Sequence, residues 1–132
     1  PPLLGQLVAE ASIDTPKEYM REMYDEYVER RNCLIDGLNI IPGVYSPIPM
    51  GAFYTVARLP VDDAEKFCAW CLSDFDYEGE TVMLAPAAGF YTTPGAGKDQ
   101  VRIAYVLNKE DLARALVVLK HALEAYPGRV EE

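Results

Sequence analysis

An α+β fold is the class this sequence predicts, with a small sheet and amphipathic helices packed on one of its faces. Three observations carry that expectation. Three long segments repeat apolar residues at helical spacing on one side only, the strand-like runs are few and short, and the order is helix, strand, helix, strand, strand, helix. The second face of such a sheet is left for something else to cover.

At 132 residues, the chain is one domain with room for a sizeable core. Half of it is apolar and a quarter charged, the balance of a packed globule, not a disordered chain. Twelve Lys and Arg against 21 Asp and Glu give a net charge of -9, so nucleic acid is not an expected partner. The apolar runs are too short to span a membrane, and no membrane partner is expected either. Three cysteines without a regular framework do not read as a secreted disulfide scaffold, which points to a reducing, cytoplasmic setting. Pro1 to Gly5 lacks the basic stretch and apolar core of a signal peptide.

Residues 1–13 are mildly apolar, with Leu3, Leu4, Leu7 and Val8, and read as a connector or helix end ahead of a domain over 14–132. The first helix is expected from Thr15-Pro16-Lys17-Glu18, where Thr15 can cap, Pro16 suits the first turn and Glu18 completes a capping box. Met20, Met23, Tyr24, Tyr27, Leu34 and Leu38 carry its apolar period until Asn39 and Pro42-Gly43 end it. Pro47 and Pro49 keep the next stretch extended up to a strand at 52–56. A second helix starts at Asp62, with Ala64, Phe67, Cys68, Cys71, Leu72 and Phe75 on one stripe. A short strand at 81–85, a Pro/Gly/Ala-rich loop at 86–97 and a strand at 100–106 follow. Asn108 caps a last helix with Leu112, Ala115, Leu116, Leu119, Leu123 and Tyr126 inward, stopped by Pro127-Gly128.

Most chemistry-bearing patterns in the chain have plainer readings. Cys68-Ala69-Trp70-Cys71 is a CxxC, but Cys68 lies almost two turns inside its helix on the apolar stripe, away from the N-terminus that would lower a thiol pKa. Buried cysteines there act as small hydrophobes. A zinc site would need more ligands than Cys33 and His121 add to the pair, so no metal is expected. His121 falls on the side of Arg114, away from the Leu stripe, and reads as solvated surface. Gly95-Ala96-Gly97-Lys98 lacks the first Gly, the Ser or Thr and the following helix of a phosphate loop, and reads as a turn. No serine sits in a nucleophile-elbow setting.

Arg102 stands apart. It lies mid-strand in Val101-Arg102-Ile103-Ala104-Tyr105-Val106, a run apolar enough to be buried on both faces, where a guanidinium needs an anionic partner. Two readings are open: an Arg paired internally to Asp or Glu or set on an edge strand, or a planar bidentate clamp for a ligand carboxylate.

Three ordered segments resemble the C-terminal small domain of class I/II aminotransferases, the fold type I pyridoxal-phosphate enzymes, in their aspartate aminotransferase-like branch. They are Gly51-Ala52-Phe53-Tyr54, Val82-Met83-Leu84-Ala85-Pro86 leading to Gly89-Phe90-Tyr91, and Val101-Arg102-Ile103-Ala104-Tyr105 before a capped helix. The resemblance, over about residues 1–126, implies a substrate-binding lid that closes over a larger upstream pyridoxal 5'-phosphate-binding domain, with residues 1–13 as the crossover. It implies that Arg102 grips the substrate's α-carboxylate and that Pro86, Gly89, Phe90 and Tyr91 border the active site. The implied reaction moves an amino group between an amino acid, such as aspartate, and a 2-oxo acid, in a homodimer. None of Lys17, Lys66, Lys98, Lys109 or Lys120 matches the family's Schiff-base lysine. This chain alone is therefore expected to hold no cofactor and no catalytic residue. The competing reading is a stand-alone, non-enzymatic α+β module that binds a small carboxylate or docks on a partner.

Overall fold

The computed structural model describes residues 2–130. Helices α1 (Leu3–Ile13) and α2 (Lys17–Ile40) are followed by β1 (Tyr54–Arg58), α3 (Ala64–Ser73), β2 (Ala85–Pro86), a single 3-10 turn at Ala88–Phe90, β3 (Gln100–Ala104) and α4 (Lys109–Ala125). The sheet is antiparallel in the order β1-β3-β2, with β3 central. Its core comes from one face only: Ala57 of β1 and Val101 of β3 meet Leu34 and Leu38 of α2, Phe67 and Cys71 of α3, and Leu119 and Leu123 of α4. The α+β class with helices on a single face is the class read from the sequence.

Local chemistry explains the elements. Asp63 caps α3, its carboxylate accepting from the N–H groups of Glu65 and Lys66. Asn108 caps α4 by accepting from the N–H of Asp111. From the last turn of α2, the Asn39 amide closes a bidentate bridge to Ser46, donating to its C=O at 3.0 Å and accepting from its N–H at 2.8 Å. The buried Ser46 and Thr55 hydroxyls pair at 2.8 Å. No buried side-chain N or O among the described residues is left without a partner. Trp70 forms the centre of an aromatic cluster, 5.2 Å from Phe75, 5.3 Å from Tyr126 and stacked near Phe67, which is itself edge-on to Tyr126 at 5.1 Å.

Several sequence expectations shift, each for a local reason. Residues 3–13 form a regular helix, yet none of them is buried. Thr15 does not cap α2: its hydroxyl donates back to the Ser12 carbonyl, and Pro16 occupies the cap position without a side-chain hydrogen bond. The N-terminal half of α2 is solvated too, with Tyr19, Met20, Met23 and Tyr24 exposed, because burial begins only at Leu34. Strand β1 starts at Tyr54, two residues late, since Ala52 is held at φ 64°, outside the extended region. Tyr105 fixes that bend by donating its hydroxyl to the Ala52 carbonyl at 3.0 Å.

The second strand contracts from 81–85 to Ala85–Pro86, because Thr81 donates to the Cys71 carbonyl and leads the chain along α3 instead of along β3. Strand β3 ends at Ala104. The α3 cap is Asp63, one residue later than expected, while Asp62 accepts a hydrogen bond from the Tyr126 hydroxyl at 3.0 Å. Leu72 points out, and Phe75 packs from beyond the end of α3. On α4, Val118 and Ala122 are fully inside while Ala115 and Leu116 are half-buried.

The two fates of the α3 stripe are testable by denaturant unfolding. Phe67→Ala removes a ring with no exposed surface and lowers stability by about 3–5 kcal/mol. Leu72→Ala, at a position with 60% exposure, shifts it by about 0.5 kcal/mol or less. Equal losses at the two positions would contradict this packing.

Candidate functional site

Alternation along β3 decides where the candidate site lies. Val101 is wholly buried against the helices, so its neighbour Arg102 projects to the opposite, uncovered face and is exposed. This corrects the expectation of burial on both faces: among the described residues no helical layer covers the outer side of the sheet. The antiparallel register sets Val56 directly opposite Arg102 on β1 and Ala85 opposite it on β2. Tyr54 lies one outer-face position along from Val56, against Ala104.

The loop after β2 returns to the same face. Ala87, almost fully buried, donates its N–H to the Gln100 carbonyl at 2.8 Å and starts the 3-10 turn, whose Phe90 N–H donates to the Ala87 carbonyl. Tyr91 donates its hydroxyl to Gln100 Oε1 at 2.6 Å. Gly97, at φ +71°, leaves room for the Tyr91 ring, into which a Cβ at that position would run. Both ends of the turn are thus tied to the start of β3, and Phe90 is carried over Arg102.

The product is a hollow of about 210 Å³ lined by Tyr54, Val56, Ala87, Phe90, Tyr91 and Arg102. The Arg102 guanidinium carbon lies 4.9 Å from the Phe90 ring centre and 5.4 Å from that of Tyr54. Among the described residues no carboxylate pairs with it, whereas Arg30, Lys66, Lys109 and Arg114 all have acidic partners. A planar cation on aromatic walls with unclaimed N–H donors is suited to a carboxylate, which it can take in two parallel hydrogen bonds. The hollow's lining includes no lysine, histidine, cysteine or acid, so these residues do not fit pyridoxal phosphate, which needs an amine for its carbonyl and a partner for its ring nitrogen.

Of the sequence candidates, Arg102, Phe90 and Tyr91 meet here. Pro86 sits at the margin, pairing with Val101 in the ladder, and Gly89 faces open space. Tyr54 and Val56 were not singled out as site residues, although the register makes them neighbours of Arg102; alternation puts the two on one face of the strand, but only its pairing with β3 brings that face to Arg102. A larger hollow of about 410 Å³ between residues 81–84 and α4 is aliphatic apart from Thr81 and Arg102.

The other motifs resolve into packing. Cys68 and Cys71 are buried free thiols; burial pushes Cys68 up to about 11, helped by Glu65, and Cys71 up to about 12. His121 is only half-exposed, not fully solvated, because its ring stacks on Tyr77 at 4.0 Å. Arg114 pairs with Glu78 and Glu80 beside it. Residues 95–98 form a turn. Among the described residues no cluster of three His, Cys, Asp or Glu could hold a metal ion, and no helix is long and apolar enough to cross a membrane.

No family model matches the chain. It is 34% identical over 107 residues to an aspartate aminotransferase of Pyrococcus horikoshii, covering 80% of the chain and 25% of that relative. It is 29% identical over 128 residues to an aspartate aminotransferase of Rhizobium meliloti, covering 88% of the chain and 29% of the relative. The solved structure of an aminotransferase from Mycobacterium tuberculosis matches with a TM-score of 0.77 at 30% identity, over 96% of the chain and 32% of that structure. Fold and sequence together define a small α+β unit of the aminotransferase type. The chain is related to the aspartate aminotransferases and spans less than a third of the length of the curated relatives it matches.

Two measurements check the buried groups. At pH 8 a thiol reagent should modify the half-buried Cys33 first, with Cys68 and Cys71 reacting only on unfolding; three equally fast thiols would contradict their burial. Burial, aided by the Asp62 hydrogen bond, also raises Tyr126 to about 12. Since these folded pKa values exceed the unfolded ones, their contribution is complete below about pH 9 and is lost as pH rises through about 11 to 12. Urea midpoints should therefore fall between pH 9 and 12, and a flat profile would contradict the shifts.

Proposed function

We propose that the chain is the C-terminal, substrate-gripping lid domain of a pyridoxal phosphate-dependent aminotransferase, with Arg102 binding the α-carboxylate of an amino acid and of its 2-oxo acid. One observation carries this reading: Arg102 is presented on an uncovered sheet face, walled by aromatic rings and without an internal carboxylate partner. A guanidinium held in this way supplies orientation. It fixes the carboxylate and therefore which substituent of Cα faces the reacting centre, a proximity contribution to the rate. Aspartate is a fitting donor on the strength of the relatives' names.

On this reading the cofactor, which supplies the carbonyl and electron sink for amino transfer, is held by a part of the enzyme outside this chain, as are the catalytic groups. The exposed apolar residues Leu3, Leu4, Leu7 and Val8 of α1 support it, because an eleven-residue helix with no buried face gains its stability from packing on something else. Residues 1–13 then serve as the crossover to the upstream domain. A cytoplasmic homodimer completes the proposal.

Arg102→Lys in the full-length enzyme tests it. The lysine keeps the charge and loses the bidentate geometry. KM for both amino acid and 2-oxo acid should rise roughly ten- to hundredfold, while the absorbance of bound pyridoxal phosphate is retained. Unchanged KM values would remove Arg102 from the site.

A further inference from the structure

Resting on the carboxylate reading of Arg102, we propose that Phe90 and Tyr54 are positioning residues: together they hold the Arg102 guanidinium in its binding pose before any ligand arrives. The two rings come from opposite flanks of β3. Tyr54 belongs to β1, and Phe90 to the turn that follows β2. Their centres lie 5.4 and 4.9 Å from the guanidinium carbon, within the range of cation–π attraction.

An exposed arginine ordinarily samples many rotamers, and a carboxylate that binds it must first stop that motion. Two ring contacts from rigid elements restrict it in advance. They also cover apolar guanidinium surface while leaving its N–H edge free, since aromatic faces accept the cation without competing for its in-plane donors.

Each ring is itself braced. Phe53 meets Tyr54 edge-on at 5.8 Å and 86°. Phe90 is fixed by the 3-10 turn, whose ends are tied to Gln100 through the Ala87 N–H and the Tyr91 hydroxyl. Core packing does not account for two large aromatic residues here, because Phe90 is 61% and Tyr54 40% exposed. For the same reason they can be replaced without unfolding the chain.

The test follows the Arg102 Nε–Hε resonance, assigned by its loss in Arg102→Lys, while pyruvate is added to the full-length enzyme, with far-UV circular dichroism confirming the fold of each variant. The wild-type resonance is expected to lie at a ring-shifted position and to move with pyruvate. Phe90→Leu should return it to the position of a solvated arginine and weaken pyruvate binding about threefold to fivefold. Phe90→Tyr should restore both, and Phe90→Leu combined with Tyr54→Leu should weaken binding about tenfold. If Phe90→Leu leaves resonance and affinity as in the wild type while Arg102→Lys abolishes binding, the positioning inference is overturned and the carboxylate reading stands. If pyruvate leaves the Arg102 resonance unmoved in the wild type, or Arg102→Lys binds it equally well, the carboxylate reading falls and takes this inference with it.

Discussion

Strand β3 couples the core of this protein to its site through its period of two. Val101, Ile103 and Tyr105 face the helices, with Val101 and Tyr105 almost without exposed surface, so Arg102 is forced outward. A one-residue slip of register would put a guanidinium into the aromatic and aliphatic core and a valine on the outer face, at a cost far beyond a domain's net stability. The packing that makes the fold unique is therefore also what aims the arginine. The flanking strands share that register, which is how Tyr54, Val56 and Ala85 come to surround it.

The rest of the structure divides into a part that locks β3 and a part that waits for cover. Helices α3 and α4 begin at side-chain caps and close on the Phe67, Trp70 and Tyr126 cluster. The Asn39 bridge and the Ser46 to Thr55 pair settle the polar groups between α2 and β1. Against this, α1, the first half of α2 and the outer sheet face keep Leu, Met, Tyr and Phe side chains in solvent. Scattered exposed apolar residues need no explanation, but whole helical stretches with nothing buried imply a surface meant to be covered. The proposed lid role asks for that division, a part rigid around Arg102 and a part that docks elsewhere.

Much of this was legible in the sequence where a local rule had no competitor. The α3 stripe and the Asn108 cap needed only spacing and capping chemistry, and Phe67, Cys68 and Cys71 are as buried as their period demanded. Legibility ended where a distant partner decided. Thr15 had a capping motif but found the Ser12 carbonyl; Thr81 to Leu84 had strand composition but were drawn along α3 by Cys71; Ala52 is held in a left-handed turn by Tyr105 from the far end of β3. Arg102 was found as the anomaly in an apolar run, but its exposure was not, since composition cannot say whether a second layer covers a sheet. Tyr54 escaped notice because alternation puts it on one face with Val56 but cannot say which strand pairs with β3 or in what register, and that register is what sets both beside Arg102.

The central claim is that Arg102 is the carboxylate grip of an amino-transfer site, and a crystal structure of the full-length protein with pyridoxal phosphate and a bound 2-oxo acid tests it most directly. The account predicts the ligand carboxylate in two contacts of about 2.7–2.9 Å with the Arg102 guanidinium, with Phe90 and Tyr54 still flanking it. A carboxylate held elsewhere, with Arg102 turned into solvent or paired to a protein acid, would contradict it.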